Sequence, residues 1–421
     1  MPMRTQARRH RIGIYSPGTG VGGPWRYIHS LLRGIDLDEF EVVVFSDLTE
    51  RYEPRPEVRV ASLGSADAAP RARLEAAPAT GWRLPIPRPV RVWTGFARTT
   101  VRLARLIRPW NLDLFHTNNT GCEESPVAAR LAGVPLVVGT FQVDPSYDLH
   151  GERSGPTHRL LERLSNGCLD MAIAISKATK AKWVERTRIP ARRVKTIYHG
   201  IDGHKFGRRR PRAAARKALG LPAEGHVVVG GVGRLDEAKG FTYLIDAIAA
   251  LATMRDDLYL VIAGEGPLAP ALMAQAQRLG VADRLQLVGF QTDVQEVLDA
   301  LDIFVMPSVC EAFGFALAEA MATELPAVGS AVGGIPEVMA HNRTGFVVAP
   351  RDSTALAKAI DTLISSPELA GRFGRAGRER VLTRFRESDM VDRTIALYRE
   401  LLRPRRAARK FSRVMSALAF Q

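Results

Sequence analysis

Two glutamates in the C-terminal half have a spacing that suits the binding of a ligand rich in hydroxyl groups. Glu311 and Glu319 lie in the segment CEAFGFALAEA. The pattern places Glu311 in a turn after an apolar run, and Glu319 about two turns into the helix that follows. Carboxylates accept charge-assisted hydrogen bonds from the hydroxyls of sugars and ribose. Two glutamates on a helix often form only a solvated face, but the apolar neighbours Phe313, Phe315 and Met321 favour a partly enclosed site.

Two basic residues in the segment GVGRLDEAKG are placed to bind a diphosphate. Arg234 and Lys239 lie in a predicted turn between an apolar run and a helix. Positive charges beside the N-terminus of a helix add to its dipole, which already favours anions there. The alternative interpretation is a pair of ordinary surface cations.

A glycine-rich loop near the N-terminus has the spacing GxGxxG between a predicted strand and a predicted helix. Its glycines are Gly18, Gly20 and Gly23. Bare backbone N–H groups at the start of a helix can bind a phosphate there. A nicotinamide-dependent enzyme is one alternative, although the acidic residue that it needs after the next strand, Asp47, is only loosely placed.

The elements that must position these residues alternate regularly along the chain. Short apolar runs such as RIGIYS, FEVVVFSD and VPLVVGTF are separated by helix-like stretches, and a second series runs from HVVVGGVGRL to GFVVAP. This order predicts βα units and parallel sheets. We therefore expect two α/β halves of about 200 residues each, joined near residue 202. Residues 49–90 are predicted to form a long loop, and residues 91–108 an amphipathic basic helix.

The charge of the chain is unevenly distributed. The net charge is +15, and residues 1–200 carry 30 Lys and Arg against 19 Asp and Glu. Residues 201–400 are nearly balanced, whereas residues 401–421 carry six basic and no acidic side chains. A nucleic acid, an anionic lipid, an acidic acceptor or a merely solvated arginine-rich surface are all compatible with this excess.

The cysteine and hydropathy patterns favour a cytoplasmic protein. The three cysteines, Cys122, Cys168 and Cys310, show no spacing typical of a zinc site or a disulfide framework, which indicates a reducing compartment. No apolar run reaches the ~18 residues of a membrane span. The basic N-terminus lacks the apolar run of a signal peptide.

The stretch from Arg234 to Glu337 closely resembles glycosyltransferase family 4. The matching segments include GRLDEAKG, VIAGEGP, LVGFQTDV and DIFVMPSVCEAFGFALAEAMATELPAVGSAVGGIPEV, in which Glu311 and Glu319 form the pattern E-x7-E. A weaker resemblance extends upstream to the glycine-rich loop. The resemblance implies the GT-B fold, in which two Rossmann-like parallel-sheet domains face each other across a cleft.

The resemblance also implies a division of the chain into three parts. Residues 1–200 would form an acceptor-binding Rossmann-like domain, and residues 201–385 a nucleotide-sugar-binding one. Residues 386–421 would form a helix that crosses back to the N-terminal domain, followed by a basic tail.

On the donor side of the cleft, the resemblance implies a role for each residue that matches. Arg234 and Lys239 would hold the donor diphosphate, Glu319 would bind the ribose hydroxyls, and Glu311 would contact the transferred sugar. Further donor contacts would come from Gly22 and Gly23 in the glycine-rich loop, and from Phe313, Gly314, Phe315 and Leu317 after Glu311. Three of these residues, Glu311, Arg234 and Lys239, are also expected to be catalytic.

The match is less exact on the acceptor side. A frequent family pattern, H-x-H, reads His116-Thr117-Asn118 here, so either His116 or Asn118 fills the slot beside the sugar. Gln142 stands where many relatives have histidine, and His199 where many have asparagine. His116 is therefore a candidate catalytic residue, and Asn118 and Gln142 are candidates for the acceptor side.

The reaction implied is transfer with retention at the anomeric carbon, from a nucleotide-sugar donor to a glycan or lipid-linked acceptor, in the synthesis of cell-surface polysaccharide or glycolipid. We expect no metal and no other cofactor, because Arg234, Lys239 and helix N-termini can stabilise the leaving diphosphate. The DxD segment that a metal-dependent transferase would use occurs at Asp36-Leu37-Asp38, in a predicted loop far from the site.

Several partners and rival activities are left open by the sequence. The basic N-terminal half and tail are compatible with peripheral attachment to the anionic inner face of a membrane, and no nucleic-acid partner is expected. The rival activities are a GT-B-fold epimerase or phosphorylase and a non-catalytic protein that binds a nucleotide-sugar.

Overall fold

The computed structural model describes residues 8–16, 22–46, 58–62, 88–118, 124–146 and 155–403. Several residues named above lie outside these ranges, namely Gly18, Gly20, Asp47, Cys122 and the basic tail after residue 403.

The described N-terminal half forms a seven-stranded parallel sheet in the order β3-β2-β1-β4-β5-β6-β7. Its strands are β1 (His10–Tyr15), β2 (Phe40–Ser46), β3 (Arg59–Ser62), β4 (Leu114–Thr117), β5 (Leu136–Phe141), β6 (Met171–Ala174) and β7 (Val194–Thr196). The helices of this half are α1 (Gly23–Gly34), α2 (Arg88–Ile107), α3 (Glu124–Leu131), α4 (Pro156–Gly167) and α5 (Lys177–Thr187). Strands such as β2 are continuous apolar runs because helices cover both faces of the sheet.

The described C-terminal half forms a second parallel sheet, in the order β10-β9-β8-β11-β12-β13. Its strands are β8 (Val227–Val232), β9 (Leu258–Ala263), β10 (Leu285–Leu287), β11 (Ile303–Met306), β12 (Ala327–Ser330) and β13 (Phe346–Val348). The helices are α6 (Arg212–Ala218), α7 (Phe241–Ala252), α8 (Ala269–Arg278), α9 (Val294–Ala300), α10 (Phe315–Ala322), α11 (Ile335–Val338), α12 (Ser353–Ser365), α13 (Pro367–Arg384) and α14 (Glu387–Leu402).

Each sheet has a point where the strand order reverses, and these points position the site. The reversal falls between β1 and β4 in the first sheet and between β8 and β11 in the second. Ligands of open parallel sheets bind at the carboxyl ends of the strands beside such a point. The glycine-rich loop follows β1, the Arg234–Lys239 turn follows β8, and Glu311 follows β11. The topology therefore brings the Arg234–Lys239 turn, Glu311 and the described end of the glycine-rich loop, Gly22 and Gly23, to the two reversal points.

The last described helix returns to the first sheet. Side chains of α14, including Ile395 and Tyr398, share a buried cluster with Ile28 and Leu31 of α1. The Tyr27 hydroxyl lies 3.0 Å from the Thr394 hydroxyl across the same contact. The C-terminal end of the described chain thus forms part of the core of the N-terminal half.

One prediction about local structure is wrong in part, and the other predictions about the elements are confirmed. The predicted loop 49–90 contains strand β3, which pairs in parallel with β2, although most of the segment lies outside the described residues. The sequence RVAS gave no signal for it, since a four-residue edge strand carries too few apolar positions to show alternation. The predicted basic helix is confirmed as α2. The two α/β halves with parallel sheets are confirmed as well. None of the helices in the described part of the chain combines the length and the apolar run needed to cross a membrane.

Candidate active site between the two sheets

Lys239 and Glu311 form an ion pair at the reversal point of the second sheet. Lys239 Nζ lies 2.6 Å from Glu311 Oε2, and both side chains are largely buried. The Asp236 side chain accepts a hydrogen bond from the Lys239 backbone N–H, which fixes the turn. Gly240 has a φ of 66° and packs directly on the Pro307 carbonyl, so a side chain there would be both strained and obstructed. The cation is therefore held in place beside the carboxylate.

Arg234 lies in the same turn and closer to solvent. Its Nε donates to Asp236 Oδ2 at 2.7 Å, and about half of its side chain is exposed. Asp236 thus holds both the Arg234 guanidinium and the backbone of Lys239. The structure brings the two predicted cations to the carboxyl end of β8.

The N-terminus of α10 opens beside Glu311 without a side-chain cap. Gly314 occupies the cap position with a φ of 101°, and the first turn holds no acidic residue. The first backbone bond of the helix runs from the Ala318 N–H to the Gly314 carbonyl. Among the described residues, no backbone acceptor is recorded for the N–H groups of Phe315, Ala316 and Leu317. Such groups, together with the helix dipole, favour an anion.

Glu319 lies one turn further along α10 and is paired with an arginine from the opposite half of the protein. Only 2% of its side chain is exposed, and its Oε1 contacts the guanidinium of Arg26 in α1. The Arg26 guanidinium carbon also lies 5.9 Å from the centre of the Phe315 ring. Burial lowers the pKa of Arg26, against an opposing effect of the nearby Asp293 carboxylate. Arg26 was not among the residues predicted for the site.

The start of α1 approaches the start of α10 closely. A Cβ atom added at Gly23 would lie 2.6 Å from the Phe315 ring, so only glycine permits this approach. Gly22 immediately precedes α1 in an extended conformation. Gly23 therefore faces the predicted donor segment, and Gly22 precedes it at the start of the helix.

Asn118, Gln142 and His199 form one buried chain of hydrogen bonds. Asn118 donates through Nδ2 to the Pro24 carbonyl at 2.7 Å and accepts at Oδ1 from Gln142 Nε2 at 2.8 Å. Gln142 Oε1 then accepts from His199 Nε2 at 2.7 Å. The His199 ring packs against the Phe315 ring with a centroid distance of 4.3 Å. The three departures from the family pattern are thus neighbours in space, at the edge of the donor segment.

His116 lies beneath this chain, inside the core. Its side chain is fully buried, its Nδ1 lies 2.5 Å from the Tyr398 hydroxyl, and its Nε2 lies 2.6 Å from the Thr140 hydroxyl. Burial lowers its pKa to about 3, so the ring is neutral. The structure does not bring His116 together with Glu311. Its partner Tyr398, on α14, is itself fully buried.

Comparison with known proteins identifies the family. The model of "Glycosyltransferase Family 4" matches residues 21–205, and that of "Glycosyl transferases group 1" matches residues 212–380. The α-maltose-1-phosphate synthase of Mycolicibacterium smegmatis is 31% identical over 309 residues, which are 68% of this chain and 78% of that protein. The chain belongs to glycosyltransferase family 4. It is therefore a glycosyltransferase, and the resemblance inferred from its motifs is confirmed.

Solved structures of glycosyltransferases confirm the GT-B fold of this family 4 chain. Sucrose-phosphate synthase from Thermosynechococcus elongatus superposes with a TM-score of 0.74 at 25% identity, covering 93% of this chain and 99% of the synthase. The Anabaena protein HepE, in a structure with UDP and glucose, gives a TM-score of 0.73 at 20% identity, covering 93% and 99% of the two chains.

A second residue that the sequence did not single out joins the two halves of the glycosyltransferase. The Glu337 carboxylate accepts hydrogen bonds from the backbone N–H groups of Lys177 and Ala178, at 2.9 and 2.8 Å, and so caps helix α5. It also accepts from the Tyr198 hydroxyl at 2.8 Å. Glu337 belongs to the motif GGIPE, for which the resemblance implies no role. An acidic residue near a helix N-terminus of another domain leaves no signal in local sequence.

Among the described residues, no group of three side chains is arranged to hold a metal ion. Asp36 and Asp38 lie in the turn between α1 and β2, where Asp36 Oδ1 accepts from the Asp38 N–H at 2.9 Å. The DxD segment is thus part of a turn, as predicted.

Proposed function

We propose that the protein is a retaining glycosyltransferase that moves a sugar from a nucleoside diphosphate sugar to a glycan or lipid-linked acceptor, in the synthesis of cell-surface polysaccharide or glycolipid. The observation that carries this proposal is the largely buried Lys239–Glu311 ion pair beside the open N-terminus of α10. A fixed cation and free N–H groups suit a diphosphate, and a carboxylate suits the hydroxyls of a sugar.

The donor is proposed to lie along the carboxyl ends of β8 and β11. Lys239 and Arg234 hold its diphosphate, with the Leu317 N–H at the helix start and Gly22 and Gly23 on the opposite wall. HepE, a protein of the same fold, was crystallised with UDP and glucose, which supports a nucleotide-sugar in this cleft.

The sugar and ribose of the donor are assigned to the two glutamates. Glu311 and the amides of Phe313, Gly314 and Phe315 bind the hydroxyls of the sugar. Glu319 binds the hydroxyls of the ribose.

The chemical step is proposed to occur on one face of the sugar. The bond between the anomeric carbon and the phosphate oxygen breaks as the acceptor oxygen bonds to the same face of that carbon. The acceptor proton passes to the departing phosphate oxygen. Negative charge grows on the diphosphate during this step, and Lys239, Arg234 and the α10 N-terminus stabilise it without a metal ion.

The acceptor is proposed to approach the wall formed by Asn118 and Gln142. Their chain of hydrogen bonds continues to His199, whose ring packs against Phe315 in the cleft. His116 is proposed to hold the core beneath them, since its two ring nitrogens already contact Tyr398 and Thr140.

We further propose that the enzyme works in the cytoplasm at an anionic membrane. Helix α2 packs against α3, and α3 against α4. These helices expose a set of arginines that we name the arginine surface, consisting of Arg98, Arg102, Arg105, Arg159 and Arg163. Exposed apolar side chains lie on the same helices, at Trp93, Val101, Leu160 and Leu164. Each arginine near an anionic surface contributes about 1 kcal/mol to binding.

The transfer is tested by incubating the purified protein with a panel of nucleotide-sugars, each with and without glycan and lipid-linked acceptors. We expect acceptor-dependent release of a nucleoside diphosphate, and a product whose anomeric configuration by NMR equals that of the donor. Addition of EDTA should leave the rate unchanged. An inverted product, or a rate abolished by EDTA and restored by a divalent cation, would contradict the proposed chemistry.

The rival activities give different products in the same assay. An epimerase would release an altered sugar without any acceptor, and a phosphorylase would require inorganic phosphate.

Docking on the membrane is tested by sedimentation with vesicles containing phosphatidylglycerol, where we expect binding at low salt that weakens at high salt. Charge reversal by Arg102→Glu with Arg163→Glu should weaken it, and equal sedimentation of this variant would remove the arginine surface from the proposal.

A further inference from the structure

The charged side chain of Arg26, in α1, lies against the donor segment of the C-terminal half. Its guanidinium contacts Glu319 and lies over the Phe315 ring. By contrast, Arg33 on the same helix points away and pairs with Glu387, at 2.7 Å from Nη2 to Oε1. The placement of Arg26 is therefore specific to the cleft and is not shared by the other arginine of α1.

The two partners of Arg26 define where its charge lies on α10. Phe315 and Glu319 are four residues apart in a helix and so share one face, one above the other. A guanidinium that contacts both lies along that face, next to the first turn. The same turn carries the N–H groups of Phe315, Ala316 and Leu317. An anion bound at these groups would consequently have Arg26 within reach.

The pairing with Glu319 is suited to exchange. Burying two charges is costly, and a buried pair is kept stable only if both partners remain satisfied. Glu319 is almost completely buried, whereas about a quarter of the Arg26 side chain is exposed. A guanidinium binds carboxylate and phosphate with the same planar pair of N–H groups. A ligand that brings hydroxyls for Glu319 together with a phosphate for Arg26 satisfies both charges at once.

We propose that Arg26 is a third cation of the donor site, and that it exchanges the Glu319 carboxylate for a phosphate of the nucleoside diphosphate when the ribose hydroxyls take over Glu319. This inference rests on the proposed donor. It adds a donor-binding residue from the N-terminal half, so that the diphosphate itself holds the two halves together.

The alternative is that Arg26 only ties the two halves to each other. The two interpretations differ in the effect that Arg26→Met should have on a nucleoside diphosphate: a mere tie predicts tighter binding, whereas a phosphate-binding Arg26 predicts weaker binding. In Arg26→Met, a nucleoside without phosphate no longer competes with the guanidinium for Glu319, and should bind as well as before or more tightly. A nucleoside diphosphate should bind more weakly, because it loses a charge-assisted contact.

The experiment measures binding by calorimetry. UDP, GDP and ADP are titrated into the full-length protein, followed by the nucleoside of whichever diphosphate binds best. For Arg26→Met we expect the diphosphate Kd to rise roughly tenfold or more, the scale of one hydrogen bond to a charged group. The nucleoside Kd should stay the same or fall. Arg26→Lys should lie between wild type and Arg26→Met for the diphosphate, since it keeps the charge but loses the planar pair of donors.

Arg33→Met is the matched control, because it removes an arginine from the same helix outside the cleft. It should change neither Kd, and the melting temperature of each variant shows that it is folded. If Arg26→Met strengthens both ligands, Arg26 is only a tie between the halves. If it weakens both equally, Arg26 merely supports the shape of the cleft. If Arg26→Met does not fold, the comparison is made with Arg26→Lys and Arg26→Gln. If the wild-type protein binds none of the three diphosphates, the proposed donor is wrong, and the exchange with it.

Discussion

The two walls of the cleft carry different kinds of polar group. The C-terminal wall is charged, with the Lys239–Glu311 ion pair, Arg234 beside it and Glu319 further along α10. The N-terminal wall contributes one cation, Arg26, and otherwise consists of neutral amides and an imidazole joined in one chain of hydrogen bonds. This difference matches the two proposed substrates, because a diphosphate requires fixed charge and a hydroxylated acceptor requires only donors and acceptors of hydrogen bonds.

Burial keeps the imidazole of the N-terminal wall, His199, neutral. His199 is 1% exposed, and burial, with a smaller effect of the Arg26 charge, lowers its pKa to about 3. Since Gln142 Nε2 donates to Asn118, its Oε1 must accept, which places the proton of the neutral His199 ring on Nε2. The hydrogen bonds therefore all run in one direction, from His199 to Gln142 and from Gln142 to Asn118, so each side chain supplies the partner of the next.

The largest effect is expected on the charged wall, at Lys239. Substitution Lys239→Met keeps the aliphatic length but removes the charge that stabilises the leaving diphosphate, and it leaves Glu311 without its partner. We expect turnover to fall by ~10²-fold or more, as for the loss of one group that stabilises transition-state charge. Steady-state kinetics with saturating donor and acceptor measure it.

Lys195→Met serves as the control for this loss of a lysine. Lys195 pairs with Glu400 on the exposed side of β7, where surface pairs contribute little. Its turnover should stay near that of wild type. Near-normal turnover of Lys239→Met itself would remove Lys239 from the diphosphate site.

The charged wall could be predicted from sequence because its residues follow strand ends within short segments. Arg234 and Lys239 belong to one turn, and Glu311 and Glu319 to another turn and its helix. The carboxyl ends of neighbouring parallel strands meet at one edge of a sheet, so the topology alone places these segments together. The alternation of short apolar runs with helix-like stretches predicted both parallel sheets.

The neutral wall could not be predicted in the same way. Asn118, Gln142 and His199 follow three different segments, and their hydrogen bonds depend on the exact approach of those segments. His116 was a candidate catalytic residue because it matches the first histidine of the family pattern H-x-H. It lies within strand β4, however, where it is fully buried and contacts the Tyr398 hydroxyl of the returning helix α14. The Arg26–Glu319 contact was hidden for a similar reason, because it joins two different halves.

Glu319→Ala tests the charged wall one turn deeper, and should have a smaller effect on turnover than Lys239→Met. It removes the proposed partner of the ribose hydroxyls, which are bound equally in the ground state and the transition state. We therefore expect the donor KM to rise roughly tenfold, with a smaller change in kcat. An unchanged donor KM, measured at saturating acceptor, would exclude Glu319 from the ribose site.

The dependence of stability on pH tests whether His199 in the neutral wall and His116 beneath it are held neutral. Burial lowers the pKa of both His116 and His199 to about 3, against an ordinary value near 6.5 in the unfolded chain. The unfolded state then binds more protons below pH 6.5, so stability is complete above this pH and falls as the pH decreases. The loss is at most about 1.4 kcal/mol per pH unit and per histidine.

The melting temperature between pH 7 and pH 5 measures this effect. It should decrease with falling pH in wild type, and less steeply in His116→Gln, which removes one of the two proton-binding groups. A melting temperature that stays constant over this range would show that the two rings are not held neutral. The assignment of the His199 proton to Nε2, which requires a neutral ring, would then fail.

The smallest effect is expected for Gln142→Met on the neutral wall, and it sharpens the comparison most. This change keeps the length of the side chain but leaves the buried Asn118 Oδ1 and His199 Nε2 without a partner, so stability should fall by about 1–3 kcal/mol. The acceptor KM should rise several-fold, the scale of one neutral hydrogen bond at about 1 kcal/mol. The donor KM should stay unchanged, because Lys239, Glu311 and Glu319 are untouched. Kinetics with each substrate varied in turn distinguish these outcomes. A donor KM that rises together with the acceptor KM would show that the two walls act as one site, and the division between a charged donor wall and a neutral acceptor wall would fail.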